Sequence, residues 1–302
     1  MRARHALRQG PVVAALVRSA VLAARGPSEA VEPDGKVFEA TVGPRSAQLV
    51  ADYVRHVGGS PSAYRGVVPA HLFSQWGFPL LSKTLGAVPY DIKRVLNGGC
   101  RIEINRPLAA NRPLQLRSVL ERIDDDGRRA LLVQRLETTT DGSWEPPAVT
   151  ARVFAVIPLP KDKDEPKRAK KDKARVPADA EEIGRLRLKK NAGLDFAVLT
   201  GDFNPVHWIG PYARMAGFKR PILHGFSTLA RAIETLNKAV WCGDPSRLKS
   251  IDVKFVRPLV LPARAGVYVV GRGRAFDVFV GDAPGGPCYL TGSVEARLEN
   301  DG

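Results

Sequence analysis

An acid and an imidazole, Asp202 and His207, stand five residues apart, with Asn204 and Pro205 between them. Seventeen residues beyond His207 comes His224-Gly225. A carboxylate and an imidazole can together carry one proton to oxygen and another to carbon, provided their pKa values are tuned near the working pH. Pro205 favours extended backbone at Asn204 and disfavours one continuous helix through the segment. The acid, the imidazole and the amide therefore share an irregular turn on which side chains can converge on a ligand. Taken singly, an Asp before Asn-Pro is more often a turn-former or cap than a catalyst. A single His is likewise more often structural.

The elements around this turn are legible from periodicity. Leu223-His224-Gly225 reads as a loop entering a helix, and Leu229, Ile233 and Leu236 recur at helical spacing with Ala230 and Ala232. Strand signals follow at Leu248–Val256, Gly266–Gly271, Ala275–Val280 and Cys288–Leu298, with a turn at 283–287. A similar series stands earlier, at Arg101–Asn105, Leu114–Ile123, Arg129–Thr138 and Val149–Ile157.

These two series belong to a loose internal repeat. Ile102 to Leu108 resembles Val253 to Leu259, each a strand stopped by Arg-Pro-Leu. Pro69 to Phe73 resembles Ile222 to Phe226, and Tyr53 to Pro61 can be laid on Phe196 to Pro205 with one deletion. Each copy reads as helix, loop, central helix and antiparallel strands, an α+β arrangement. The copies differ where the chemistry lies. Gly59 stands opposite Asp202, nothing matches His207, and Leu72 replaces Gly225.

The chain of 302 residues has room for two domains, and 44% apolar residues suit packed cores. No run is long and apolar enough to suggest a membrane span. Cys100, Cys242 and Cys288 are far apart and odd in number, which argues against a disulfide framework or a metal site and for a reducing cytoplasm. The net charge of +15 favours anionic partners. Residues 161–175 carry eight bases and four acids without an aromatic, so they read as a solvated linker, and nucleic acid is disfavoured. The Arg-rich residues 1–34 are expected to form a basic helical extension packed on the first domain, an organelle transit peptide being the alternative.

Asp202-Phe203-Asn204-Pro205-Val206-His207, then Ala216-Gly217-Phe218 and Pro221-Ile222-Leu223-His224-Gly225, resemble the MaoC-like dehydratases in order and spacing. That family includes the R-specific enoyl-CoA hydratases and has the hot-dog fold. The resemblance covers about forty residues. It implies a double hot dog, two antiparallel sheets each wrapping a central helix. The expected parts are a degenerate first domain at 35–159, a linker at 160–178 and a catalytic domain at 179–302. It further implies a lyase: water is added to trans-2-enoyl thioesters or removed from (R)-3-hydroxyacyl thioesters. Asp202 and His207 are then the catalytic pair, holding one water, with Asp202 the base towards it. Gly225 at the helix start supplies an oxyanion N–H, without a Cβ to obstruct the substrate. Asn204 and His224 position the loop. Arg214, Lys219 and Arg220 are expected phosphate contacts, with Lys254 and Arg257 further candidates.

No cofactor or metal is implied beyond the CoA or phosphopantetheine of the substrate, which comes as acyl-CoA or on an acyl carrier protein. The resemblance leaves room for a homodimer. Two departures are visible: Ile209 stands where family members often carry an acid, and Ala230 and Ile233 where some carry a small hydroxyl residue. The alternative is a non-catalytic acyl-thioester binding or accessory subunit.

Overall fold

A computed structural model describes residues 5, 9–15, 17, 35–86, 88–160 and 173–298. Its framework is one ten-stranded antiparallel sheet. In chain order the first five sheet strands are β1 (Phe38–Val42), β3 (Leu96–Ile104), β5 (Leu114–Asp125), β6 (Arg129–Thr139) and β7 (Val149–Pro158). The second five are β8 (Glu181–Leu188), β9 (Leu248–Phe255), β10 (Ala263–Val270), β11 (Ala275–Gly281) and β12 (Cys288–Ala296). A two-residue pair, β2 (Val67–Val68) with β4 (Leu108–Ala109), stands apart.

The spatial order is β1-β5-β6-β7-β3-β9-β12-β11-β10-β8. Read outwards from the middle, each half runs second, fifth, fourth, third and first strand. The repeat seen in sequence is thus a repeat of topology, two hot dogs sharing one sheet. The expected two sheets are continuous because β3 and β9, the strands that follow the central helices, pair with each other. The Arg-Pro-Leu alignment equates Arg101 with Asp252, and these two residues are register partners. A pseudo-two-fold axis therefore passes between them.

Helices α1 (Ala47–His56) and α3 (Ala192–Thr200) are equivalent by this symmetry, as are the central helices α2 (Phe73–Thr84) and α5 (Gly225–Ala239). A short α4 (Gly210–Met215) belongs to the second half alone. In α5, Leu229, Ile233 and Leu236 are buried, as their spacing predicts, with Ala230 and Ala232 beside them. Their burial against the sheet, at about 25 cal/mol per Å² of apolar surface, holds the helix in place. The two central helices meet near their starts, where Phe73 packs edge-on against Phe226 with ring centroids 5.1 Å apart.

Two sequence expectations need adjustment. Strands β1 and β8 open the halves without having been expected. The stretch expected as linker lies outside the described residues over 161–172, but packed structure resumes before its end: Val176 is buried with Tyr268 and Cys288, and its N–H donates to the Gly286 carbonyl.

The first half contains a sealed counterpart of the acid–imidazole turn. His71, matched to His224 in sequence, donates from Nε2 to Glu234 Oε1 at 3.0 Å, and the Tyr64 hydroxyl donates to the same oxygen at 2.7 Å. Asn237 Nδ2 donates to Glu234 Oε2 at 3.3 Å. A Cβ on Gly59 would run into the Glu234 carboxylate. The acid missing from position 59 is thus replaced by one reaching in from α5 of the other half.

Burial opposes ionisation of Glu234, yet the hydrogen bonds from His71, Tyr64 and Asn237 leave its pKa lowered. The stabilisation is therefore complete above the ordinary Glu value of 4.5 and is lost as pH falls through the lower folded value. Glu234→Gln is expected to cost about 1.5–3 kcal/mol in urea unfolding at pH 7, the range for hydrogen bonds to a charged group. It should also flatten the acid-side fall in stability. Equal midpoints and equal acid slopes would show the carboxylate to be idle.

Candidate active site

The turn carrying the expected pair begins where α3 ends. Gly201 closes that helix in the left-handed region, at φ 85°, and its N–H donates to the Ala197 carbonyl. Only a residue without a Cβ takes that conformation freely. Asp202 follows, and its Oδ1 accepts from the Asn204 N–H at 3.3 Å. Asn204 is extended, as the following proline requires, and its side chain accepts from the Val206 N–H at 3.2 Å. A single helical turn, Pro205–His207, then brings the imidazole back towards the acid.

His207 is held in one tautomer. Its Nδ1 lies 2.9 Å from the Ile222 carbonyl, and a carbonyl only accepts, so Nδ1 carries the proton and Nε2 offers its lone pair. Burial lowers the pKa of His207 against the opposing pull of Asp202. The imidazole is therefore neutral at pH 7 and free to take a proton.

His224 lies against it, the two rings stacked with centroids 3.6 Å apart. Its Nε2 donates to the Asp202 backbone carbonyl at 3.0 Å. Full burial and the neighbouring His207 push its pKa down to about 3, so it holds the loop as a neutral donor. Phe196 also packs against His224, at 4.9 Å, as Tyr53 packs against His71 at 5.5 Å in the first half.

Gly225 is the first residue of α5, and the first N–H groups of a helix have no intrahelical acceptor. The structure gives a further reason for a glycine here. A Cβ at position 225 would come within 2.5 Å of the Phe255 ring, so the missing side chain makes room for Phe255. Its N–H nevertheless stands at the positive end of the helix, beside the His224 that fixes Asp202.

Arg214, Lys219 and Arg220 are exposed on α4 and the loop after it, next in sequence to the exposed Trp208, Tyr212 and Met215. The structure thus brings Asp202, His207 and His224 together, with Asn204 and Gly225 in the adjoining turn and helix start, and leaves the three bases exposed. Among the described residues, Asp202, His207 and His224 also offer one ligand atom each within 4.8 Å of one another. For a cation, two of the four ring nitrogens are already engaged with carbonyls.

Sequence reasoning missed three supports. The Ile222 carbonyl orients His207 but carries no side-chain signal. Gly193 lets the His207 backbone approach α3, since a Cβ there would strike the His207 carbonyl. Phe255 fills the space beside Gly225; its place two residues before Arg257-Pro258 was visible, but its contact was not.

Comparisons with known proteins bear on the family and the fold. Residues 168–278 match the MaoC like domain. A peroxisomal enoyl-CoA hydratase 2 from Arabidopsis thaliana is 33% identical over 55% of this chain and 57% of its own. A 3-hydroxyacyl-thioester dehydratase X from Mycobacterium tuberculosis is 26% identical over 63% of this chain and 64% of its own. The chain thus spans less than two thirds of the curated relatives it matches. In fold, it is similar to a MaoC-like dehydratase from Phytophthora capsici, with a TM-score of 0.71 at 20% identity, covering 90% of this chain and 99% of that one.

Proposed function

We propose, for a chain that carries a MaoC-like domain over 168–278, a hydro-lyase acting on acyl thioesters. It adds water to trans-2-enoyl thioesters, or removes it from (R)-3-hydroxyacyl thioesters. The observation that carries this reading is the His207 tautomer, fixed beside Asp202 and next to a helix start.

In the proposed reaction Asp202 and His207 hold one water between them, Asp202 as the base towards it and His207 Nε2 as its partner. The oxygen adds at C3, and a proton is delivered to C2. As the new bond forms, negative charge develops on the thioester oxygen, and the Gly225 N–H stabilises it with the help of the α5 dipole. His224 and Asn204 keep Asp202 in place through the backbone contacts described above. The reaction as proposed draws on no cofactor beyond the CoA or phosphopantetheine of the substrate. Arg214, Lys219 and Arg220 are the proposed contacts for its phosphates, whether the thioester arrives on CoA or on an acidic carrier protein. The first half is a non-catalytic copy, supported by Gly59 opposite Asp202 and by the sealing of its counterpart site with Glu234. Three free cysteines fit a reducing compartment, and no helix among the described residues is long and apolar enough to cross a membrane.

The test is loss of the enoyl-thioester absorbance of crotonyl-CoA, repeated with longer chains and followed by chiral analysis of the product. An R-configured 3-hydroxyacyl-CoA is expected. Tight binding of enoyl thioesters without any turnover would favour the binding subunit instead.

A further inference from the structure

The four C-terminal carbonyls of a helix lack partners within it. In α3 the Ala197 carbonyl accepts from Gly201, immediately before Asp202. The next two, of Val198 and Leu199, accept from a residue nearly two hundred positions away: Gln9 Nε2, at 3.2 and 3.0 Å. Gln9 is fully buried. Its Oε1 accepts from Gln75 Nε2 at 3.1 Å, and Gln75 Oε1 accepts from Arg45 Nη1 at 2.9 Å. One turn further on, Val12 is buried against Gly201, where a Cβ would come within 2.6 Å of the Val12 Cβ. On the other side, His5 Nε2 lies 2.8 Å from Asp52 Oδ2 on α1, both side chains 3% exposed.

We propose that residues 9–15 are a strap, with His5 ahead of them as a second anchor, that sets the end of α3 and thereby the position of Asp202, with Gln9 as the positioning residue. Gln9 touches neither substrate nor the reacting atoms. It acts through two carbonyls and Gly201 on the residue that follows. The Gln9 amide suits the place because it donates to the α3 carbonyls while accepting from Gln75, so neither end is left unpaired in a buried site. The strap also ties the halves together, since Gln75 and Asp52 belong to the first half and α3 to the second.

The proposal rests on the hydratase reading for its kinetic arm. The experiment compares the full chain with Gln9→Ala and with Gln9→Glu, which keeps the length but loses the N–H donors when ionised. Hydration of crotonyl-CoA is measured beside melting curves and amide hydrogen exchange. For both variants kcat per folded molecule is expected to fall about tenfold to a hundredfold, the size of effect that a displacement of about 1 Å can have. KM should stay within about twofold. Exchange at residues 200–204 should quicken while β5–β7 are unchanged. Leu132→Ala, in the separate small core with Val88, Leu120 and Ile157, is the control for stability lost elsewhere. It should melt earlier and keep kcat. Should Gln9→Ala fail to fold, Gln75→Leu leaves Gln9 in place, removes the support behind it together with the Arg45 contact, and should show the same pattern at smaller size. Wild-type kcat and wild-type exchange at 200–204 in the Gln9 variants would overturn the strap. So would a fall in kcat matched by Leu132→Ala at equal loss of Tm. If the wild-type chain hydrates no enoyl thioester, the functional reading fails on its own, and exchange at 200–204 still decides the strap.

Discussion

Asp202→Asn and His207→Gln are each expected to lower the hydration of crotonyl-CoA by about 10²–10⁴, the usual contribution of a positioned acid or base. The melting curve should be almost unchanged, because both replacements keep the length of the side chain or nearly so. Asparagine at 202 can still accept from the Asn204 N–H through its amide oxygen, so the turn survives while the negative charge is lost. Glutamine at 207 can still donate to the Ile222 carbonyl but offers no nitrogen lone pair to water. The double variant should be little worse than either single one, since groups acting on one water fail as a unit.

The pH profile gives a second reading of the same pair. Burial lowers the pKa of His207, so the neutral, proton-accepting form persists as pH falls through the ordinary imidazole value of 6.5. The wild-type rate should therefore hold at that pH. Near wild-type turnover in both single variants would remove the pair from the mechanism.

Gly225→Ala is expected to lower kcat about a hundredfold, a larger effect than one added methyl suggests. The methyl would meet the Phe255 ring at 2.5 Å, well inside contact distance, so either the ring or the start of α5 must move. If the helix start moves, its N–H leaves the place where charge develops, and loss of one oxyanion donor costs about 10²–10³ in rate. Shrinking the obstacle should undo the damage. Gly225→Ala with Phe255→Ala is expected to recover much of the rate, giving a strongly non-additive cycle. Additive losses in that cycle, or an unimpaired Gly225→Ala, would separate Gly225 from the oxyanion role.

How far the sequence could be read differed by element. Helix α5 was legible because Leu229, Ile233 and Leu236 face one core at helical spacing. The extended Asn204 followed from Pro205, a local steric rule. Edge strands β1 and β8 were not, being short or charged: Glu181-Glu182 and Arg185 to Arg187 break the apolar pattern, as edges that must not recruit further strands tend to do. The site residues were visible as types and spacing, yet the atoms that orient them were not. A backbone carbonyl such as Ile222 has no signature. Nor has Gln9, whose partners Val198 and Leu199 are adjacent only after folding. The sequence singles out Gly225 by its place at a helix start, but the Phe255 ring against it comes from a strand thirty residues on and leaves no local signal.

The axis between β3 and β9 has an evolutionary consequence. When two identical chains associate about a two-fold, any residue on the axis faces its own copy, so a charge there meets the same charge. In this chain Arg101 faces Asp252 across that axis, with Nη1 and Oδ2 4.0 Å apart. No homotypic pair could place opposite charges there; tandem copies free to diverge can. The same freedom lets Glu234 of the second half lie against Gly59 of the first, a contact that joins the halves. With its counterpart on the same polypeptide, neither half depends on encounter to find the other.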